Sequence, residues 1–208
     1  RFRATGWLTR HTKYFLPDAA AVQARALTEQ VKSEEARFRT IVEWVRSSIQ
    51  PGIYPSITLN NGSLTMQPGL YCITGSPNAM QINGGTLIGN EVTIYITNGG
   101  VSVSGNAQVD LAAPQSAAYA PAIQGVLFYL AEGNTNSIQL NGNSSSSYLG
   151  VIYAPTGDID ISGTNGTNPT FNTQLIGNNV FISGNADLDI NFDGPQSYQK
   201  PALLDLQQ

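Results

Sequence analysis

Five glycines recur along this 208-residue chain at a nearly constant spacing, each after one apolar and one small polar residue. They are Gly84, Gly105, Gly142, Gly163 and Gly184. Their separations are 21, 37, 21 and 21 residues, so the long interval equals one period plus 16 residues. A fixed period in the low twenties, with β-type residues before each glycine, is typical of a solenoid whose repeats stack on their neighbours.

The residues between these glycines alternate between apolar and polar side chains, as in 92–97 and 101–104. Such alternation indicates short strands with one buried face, and turns rich in Asn and Gly separate them. We therefore predict an all-β fold, a right-handed parallel β-helix of about six coils with about 21 residues per coil. Residues 60–62, Asn-Asn-Gly, mark a first and less regular coil.

Composition separates a basic front segment from an acidic body. Residues 1–50 hold nine of the ten Lys and Arg and five of the 14 acidic residues, whereas residues 51–208 hold nine acidic residues and only Lys200. A body with so few cations cannot neutralise phosphates, so nucleic-acid binding is excluded as its function. The low share of charged residues, 12%, and the abundance of Asn, Ser and Thr favour an extracellular or cell-envelope location.

The front segment has the pattern of an amphipathic helix. Five apolar residues fall on one helical stripe, which should end near Pro51. They are Phe38, Ile41, Val42, Val45 and Ile49. A helix of this kind covers the open, apolar end of a solenoid, so we predict an N-terminal helical cap. The predicted parts are a helical basic cap or assembly segment (1–52), a β-solenoid (53–194) and a C-terminal tail (195–208).

The long glycine interval contains a segment that cannot continue a strand ladder. Residues 112–124 are rich in Ala and include Pro114 and Pro121, which have no N–H to donate. We predict that this segment is an inserted loop that leaves the rod. Insertions into solenoids lie on loops, and two roles stay open: a tolerated surface loop or part of a binding face.

Two pairs of aspartates are the candidates for acid–base or metal chemistry. Asp158 with Asp160, and Asp187 with Asp189, each lie two apart on a predicted strand. Paired carboxylates serve glycoside hydrolysis, and oxygen ligands suit Ca²⁺. The 21-residue register, however, places Asp158 over Asn179 and Asp160 over Phe181, so the two pairs should not form one site. We interpret them as solvated strand positions.

The remaining chemical candidates are weaker. Cys72 is the only cysteine, which excludes an intrachain disulfide, and we interpret it as a small buried residue, with an interchain bridge as the alternative. His11 is the only histidine and lies far in sequence from any nucleophile. We therefore predict a protein that is not an enzyme, with no catalytic residue, no cofactor and no metal site.

Hydroxyls and aromatic rings raise a further class of function, binding to a glycan. Thr86, Thr93, Thr97 and Ser102 present hydroxyls on predicted strands. The 21-residue register shows neither a continuous threonine ladder nor an aromatic platform. We therefore expect four tyrosines to lie in the core or at an edge, although a surface pair would favour sugar binding. These are Tyr95, Tyr129, Tyr148 and Tyr153.

Several strings resemble one known family. They are residues 68–75 (PGLYCITG), 89–97 (GNEVTIYIT), 99–107 (GGVSVSGNA), 150–158 (GVIYAPTGD) and 182–186 (ISGNA). Together they resemble the C-terminal β-solenoid region of bacterial Tad (Flp) pilus-assembly proteins of the TadE/TadG-like kind, over residues 57–193. The resemblance implies an envelope-anchored or pilus-associated surface protein without catalysis. Such proteins usually carry an N-terminal membrane helix, so membrane contact would come only through an anchor that precedes this sequence.

These observations predict a structural or adhesive cell-surface protein, pilus-associated or filament-forming. Its expected partners are other copies of itself or other pilus or envelope subunits, bound through the N-terminal helical segment or the C-terminal tail, and a surface glycan is a further candidate ligand. The alternative is a secreted carbohydrate-binding or carbohydrate-active β-helix protein.

Overall fold

The computed structural model describes residues 47–104, 106–142, 146–163, 170–184 and 189–190, and this part is a parallel β-solenoid. Its 17 strands are β1 (Ser48–Ile49), β2 (Gly52–Tyr54), β3 (Ile57–Leu59), β4 (Ser63–Met66), β5 (Gly69–Ile73), β6 (Asn78–Ile82), β7 (Thr86–Gly89), β8 (Val92–Ile96), β9 (Gly100–Val103), β10 (Gln108–Ala112), β11 (Val126–Leu130), β12 (Ile138–Gly142), β13 (Ser147–Ala154), β14 (Ile159–Gly163), β15 (Thr170–Gly177), β16 (Val180–Gly184) and β17 (Asp189–Ile190).

The strands form three faces, because each strand pairs with its equivalent one coil away. The first face contains β1, β4, β7 and β10, the second contains β2, β5, β8 and β11, and the third contains β3, β6, β9, β12, β14 and β16. The eight-residue strand β13 then joins the first two faces, because its first half pairs with β10 and its second half with β11. Within the described residues, each coil from β13 onward has two main strands instead of three.

The third face preserves the period of the glycines. Gly142, Gly163 and Gly184 lie opposite one another in the parallel registers of β12, β14 and β16. The predicted parallel solenoid with a 21-residue repeat is therefore confirmed. Six strands on this face are linked by about five turns, close to the six coils expected. Residues 1–46 of the helical cap expected over 1–52, and the tail expected over 195–208, lie outside the described residues.

The solenoid begins before residue 53, where we predicted its boundary. Residues Ser48–Ile49 and Gly52–Tyr54 are strands, so the end of the predicted helical segment is wrong there. The backbone N–H of Gln67 donates to the carbonyl of Ile49 at 3.0 Å, one coil away. Ile49 packs partly buried against the core. Ile49, which we expected at the end of the helical stripe, therefore belongs to the first strand of the solenoid.

The core is a set of apolar rows that run along the rod. Ile94, Phe128 and Ile152 lie in register on successive coils of the second face and are fully buried. Tyr148 and Phe171 stack in the same way, with ring centroids 4.8 Å apart. Side chains of equal register therefore pack on one another, which makes each coil the template for the next.

Two buried tyrosines differ in how their hydroxyls are satisfied, and this predicts opposite effects of the same substitution. The Tyr71 hydroxyl lies 2.8 Å from the carbonyl oxygens of both Ile49 and Gln67, to which it donates. The Tyr148 hydroxyl is buried and has no hydrogen-bond partner. Tyr71→Phe should lower the free energy of unfolding by about 1 kcal/mol, whereas Tyr148→Phe should leave it unchanged or raise it by up to about 1 kcal/mol. Urea titrations of the two variants measure this, and equal losses would contradict it.

Candidate functional site

Three tyrosines form a row on the outer surface of the second face. Tyr95 on β8, Tyr129 on β11 and Tyr153 on β13 lie opposite one another in the parallel register. Their ring centroids are 5.4 and 5.0 Å apart, close to the spacing of paired strands. All three side chains are half-buried. We call Tyr95, Tyr129 and Tyr153 the tyrosine row.

The tyrosine row brings three aromatic side chains together on the surface, although the 21-residue register showed no such group and we expected core or edge positions. The reason is spacing: its members are 34 and 24 residues apart, because an insertion and a bulge near Val126 interrupt the 21-residue period. The signal that could have found them is the alternation within each strand, which places all three opposite the buried side. Tyr148, expected in the core or at an edge, lies in the core.

A cavity of about 400 Å³ lies beside the row at its C-terminal end. Tyr129, Tyr153 and Ile176 line one side of it. Val126 and Val151 line it as well. Val151 is two residues from Tyr153 on the same strand, so strand alternation puts Val151 and Tyr153 on the same outer face. The remaining lining residues are Ile123, from the insertion, and Gln174. The cavity is therefore mostly apolar, with phenol and amide groups at its border.

The inserted segment lies along the second face. We expected it to leave the rod, and this expectation is wrong. It runs from Ala113 to Gly125 without a strand and contains a short 3₁₀ helix, Ala117–Tyr119. Residues 118–121 share a second cavity, of about 490 Å³, with residues of β2 and β5. Ala113 and Ala122 are buried, whereas residues 115–121 are exposed.

Two side chains of the third coil, one on the turn before β8 and one on β8 itself, hold the insertion in place. Thr93 is fully buried, and its hydroxyl accepts the N–H of Ile123 at 2.9 Å and donates to the carbonyl of Val126 at 2.9 Å. The Glu91 carboxylate accepts the N–H of Gln115 at 2.7 Å. Glu91 has a φ of 60°, a left-handed conformation that costs a non-glycine residue free energy. Hydrogen bonds thus hold both ends of the loop, which contributes Ile123 to the wall of the cavity.

The environment of the tyrosine row disfavours negative charge. Burial raises the pKa of Tyr129, and the neighbouring Tyr153, Tyr95 and Glu132 raise it further. The phenol therefore stays a neutral hydrogen-bond donor and acceptor beyond its ordinary titration range. Because Glu132 is close enough to act on the ring, an anionic ligand would meet repulsion here.

The predicted aspartate pairs do not form a site in the described residues. Asp160 lies opposite Phe181, as the register predicted. The Asp158 carboxylate accepts hydrogen bonds from the side chains of Asn179 and Asn178, at 2.9 and 3.1 Å, and these bonds lower its pKa. Asp187 lies outside the described residues, and Asp189 lies on β17. The described residues contain no group of three or more His, Cys, Asp and Glu side chains that could hold a metal ion.

The other predicted residues are separate from one another. Cys72 is free and half-buried, so the expectation of a buried cysteine is wrong; it lies in the outer row between Ile53 and Tyr95. Thr97 donates to the carbonyl of Ile73 at 3.2 Å, and Ser102 lies on the third face. The hydroxyl-bearing residues therefore do not form one ladder. His11 lies outside the described residues.

Comparison with known proteins places most of the described residues in a protein family. A family model described as a domain of unknown function, DUF7305, matches residues 73–195. No curated protein and no solved structure matches the chain. Within the part of the chain that the structure describes, no helix is long and apolar enough to span a membrane.

Proposed function

The chain belongs to the DUF7305 family of domains of unknown function, and we propose that it is a structural or adhesive cell-surface protein, a pilus-associated or filament-forming subunit without catalysis. In this proposal the solenoid is right-handed and the N-terminal segment caps it as a helix. The proposed location is extracellular or in the cell envelope. Partners are other copies of the chain or other pilus or envelope subunits.

The observation that carries this proposal is the apolar surface of the last strand on the third face. Val180 and Ile182 occupy the register of the buried core residues Ile159 and Ile161. They are nevertheless 41% and 55% exposed. At about 25 cal/mol per Å² of apolar surface removed from water, covering such side chains favours association.

The backbone of this strand supports the same conclusion. Among the residues that the structure describes, β16 is the terminal strand of the third face, as β3 is at its other end. A terminal strand presents N–H and C=O groups that can pair with another chain. Pairing of β16 with a strand of another chain would continue the ladder and cover Val180 and Ile182 together, so end-to-end assembly uses both features.

Side chains at the turns support a rod that is stable without many charges. The Asn83 side-chain amide donates to that of Asn60 at 2.9 Å, across one coil. The Ser162 hydroxyl donates in the same way to the side-chain oxygen of Asn141. Such uncharged ladders are little affected by ionic strength, which suits a surface exposed to changing salt.

Assembly is tested by sedimentation velocity over a range of protein concentrations, with negative-stain electron microscopy of the most concentrated sample. We expect the wild-type chain to form linear assemblies. Ile182→Lys should abolish them because it places a charge where the next copy would pack. Phe181→Lys is the matched control: Phe181 is adjacent and 52% exposed, but it lies on the opposite side of the strand and should leave assembly intact.

Two results would contradict the proposal. One is a wild-type chain that stays monomeric at every concentration. The other is assembly that Phe181→Lys disrupts and Ile182→Lys does not, which would mean that copies meet side by side instead of end to end.

A further inference from the structure

The tyrosine row and the cavity beside it have the composition of a ligand site that assembly does not use. They lie on the second face, whereas the proposed contact between copies involves β16 of the third face. We propose that this site binds a neutral oligosaccharide, with pyranose rings packed along the tyrosine row and one sugar in the cavity.

The size and lining of the cavity fit a small ligand. At about 400 Å³ it falls within the usual range of ligand pockets, about 300–1,000 Å³. Such pockets are lined mostly by apolar and aromatic groups, with a few polar groups that fix orientation. Here Val126, Val151 and Ile176 supply the apolar surface, and the Gln174 amide and the tyrosine hydroxyls are the polar groups.

The two surfaces of a pyranose ring match these groups. Its C–H face is apolar and packs against aromatic rings, while its hydroxyls exchange hydrogen bonds with phenols and amides. Tyr129 and Tyr153 both border the cavity, and Tyr95 continues the row beyond it. The row therefore extends past one sugar, so the ligand it fits is a chain of sugars and not a monosaccharide.

Charge decides which sugars are accepted. Residues 51–208 carry nine acidic residues and one Lys, and the charge of Glu132 contributes to the raised pKa of Tyr129. Among the described residues that line the cavity there is no cation. A uronic acid or sulfated sugar would lose its hydration without gaining a counter-charge, so the site selects uncharged chains.

The spacing of the rings disfavours the main alternative ligand, a proline-rich peptide. Such peptides also bind grooves lined by aromatic side chains. Their polyproline II helix repeats after three residues of about 3.1 Å each, that is, about 9 Å. The tyrosine rings are only 5.0 and 5.4 Å apart, so successive turns of the peptide would not meet successive rings.

The site is also preformed by the insertion. Ile123 belongs to the cavity lining, and its N–H is fixed by the buried Thr93 hydroxyl. A wall already held in place reduces the ordering cost that a ligand would otherwise meet.

The test is a calorimetric titration of the full chain. The neutral ligands are cellohexaose, chitohexaose, maltohexaose and mannohexaose. Oligogalacturonate and a decaproline peptide represent the two competing classes of ligand, charged sugars and proline-rich peptides. At least one neutral sugar should bind, and Tyr153→Ala should weaken it about tenfold, the size expected for one lost aromatic contact. Tyr153→Phe keeps the ring and should weaken binding less. Tyr119→Ala is the matched control, because Tyr119 is exposed on the same loop and does not line this cavity.

Thermal unfolding of each variant shows whether it remains folded. If Tyr153→Ala unfolds, Tyr153→Phe and Gln174→Ala take its place, and either should still weaken binding. The proposal is overturned if no neutral sugar binds at millimolar concentration, or if oligogalacturonate or decaproline binds and the neutral sugars do not. It is also overturned if binding is equal in the wild type and the Tyr153 variants. Sedimentation velocity on the same samples tests assembly separately. It therefore distinguishes failure of the sugar-binding proposal from failure of the proposed structural role.

Discussion

Replacing Gly85 with alanine is expected to lower the free energy of unfolding by about 3 kcal/mol, whereas the same change at Gly62 should cost only about 1 kcal/mol. Both glycines have left-handed backbones, with φ of 82° and 79°. A Cβ atom at Gly85 would lie 2.4 Å from the Gly62 carbonyl oxygen and 2.8 Å from the Asn61 carbonyl carbon. At Gly62 it would meet nothing within 4 Å.

The difference between the two variants isolates the contact between turns. Each substitution pays the same backbone cost, because the φ angles are alike. Only Gly85→Ala must also move the backbone of the preceding turn, on which its own coil stacks. Urea unfolding followed by far-ultraviolet circular dichroism gives both free energies. Equal losses would mean that the turns of the first two coils do not stack as closely as the structure shows.

A similar contact at the neighbouring Gly84, the first of the periodic glycines, helps to explain why the repeat was visible in the sequence. A Cβ atom at Gly84 would lie 2.7 Å from the Asn60 carbonyl oxygen, one coil away, and Gly142, Gly163 and Gly184 lie opposite one another at the period of the coil. The alternation of residues 92–96 likewise follows from strands that are buried on one side. Fold class and period could therefore be predicted, since they depend on rules that each coil obeys separately.

The candidate site could not be predicted in the same way, because it depends on one irregularity. The insertion and the bulge between Val126 and Phe128 shift Tyr129 out of the 21-residue period, although it lies opposite Tyr95 and Tyr153. The position of the insertion also depends on one buried hydroxyl, that of Thr93, which no sequence pattern distinguishes from an exposed threonine. The path of a loop is set by such single contacts and not by periodicity.

The joining of two faces into one long strand was missed for a related reason. β13 covers eight residues, Ser147–Ala154, and pairs with both β10 and β11. The alternation of its side chains continues through Gly150, where earlier coils turn from the first face to the second. Gly150 has a φ of 120°, and a Cβ atom there would lie 2.4 Å from the Cβ of Ala113. A single glycine in a strand gives no indication of whether the strand bends there or continues.

Raising the pH above about 10 is expected to destabilise the fold steeply, because two tyrosines are buried as neutral phenols. Burial raises the pKa of Tyr71 and of Tyr148 far above the ordinary value of 10.0. Below that value both phenols are protonated in the folded and the unfolded chain, so they add no pH dependence. Above it the unfolded chain releases both protons while the folded chain keeps them, and stability falls as pH rises.

The slope is set by the number of protons and not by the size of either shift. Each buried tyrosine contributes about 1.4 kcal/mol per pH unit, so the two together contribute about 3 kcal/mol per pH unit until the folded chain begins to release them.

Urea unfolding at intervals from about pH 9 to about pH 12 measures this slope. Tyr148→Phe removes one of these two groups and should lower the slope by about 1.4 kcal/mol per pH unit, half of what the two contribute. General repulsion among the negative charges of the body would also destabilise the chain, but it is screened at about 1 M salt. A slope that persists in such salt and falls in Tyr148→Phe therefore comes from the buried phenols, whereas one that salt removes would contradict this assignment.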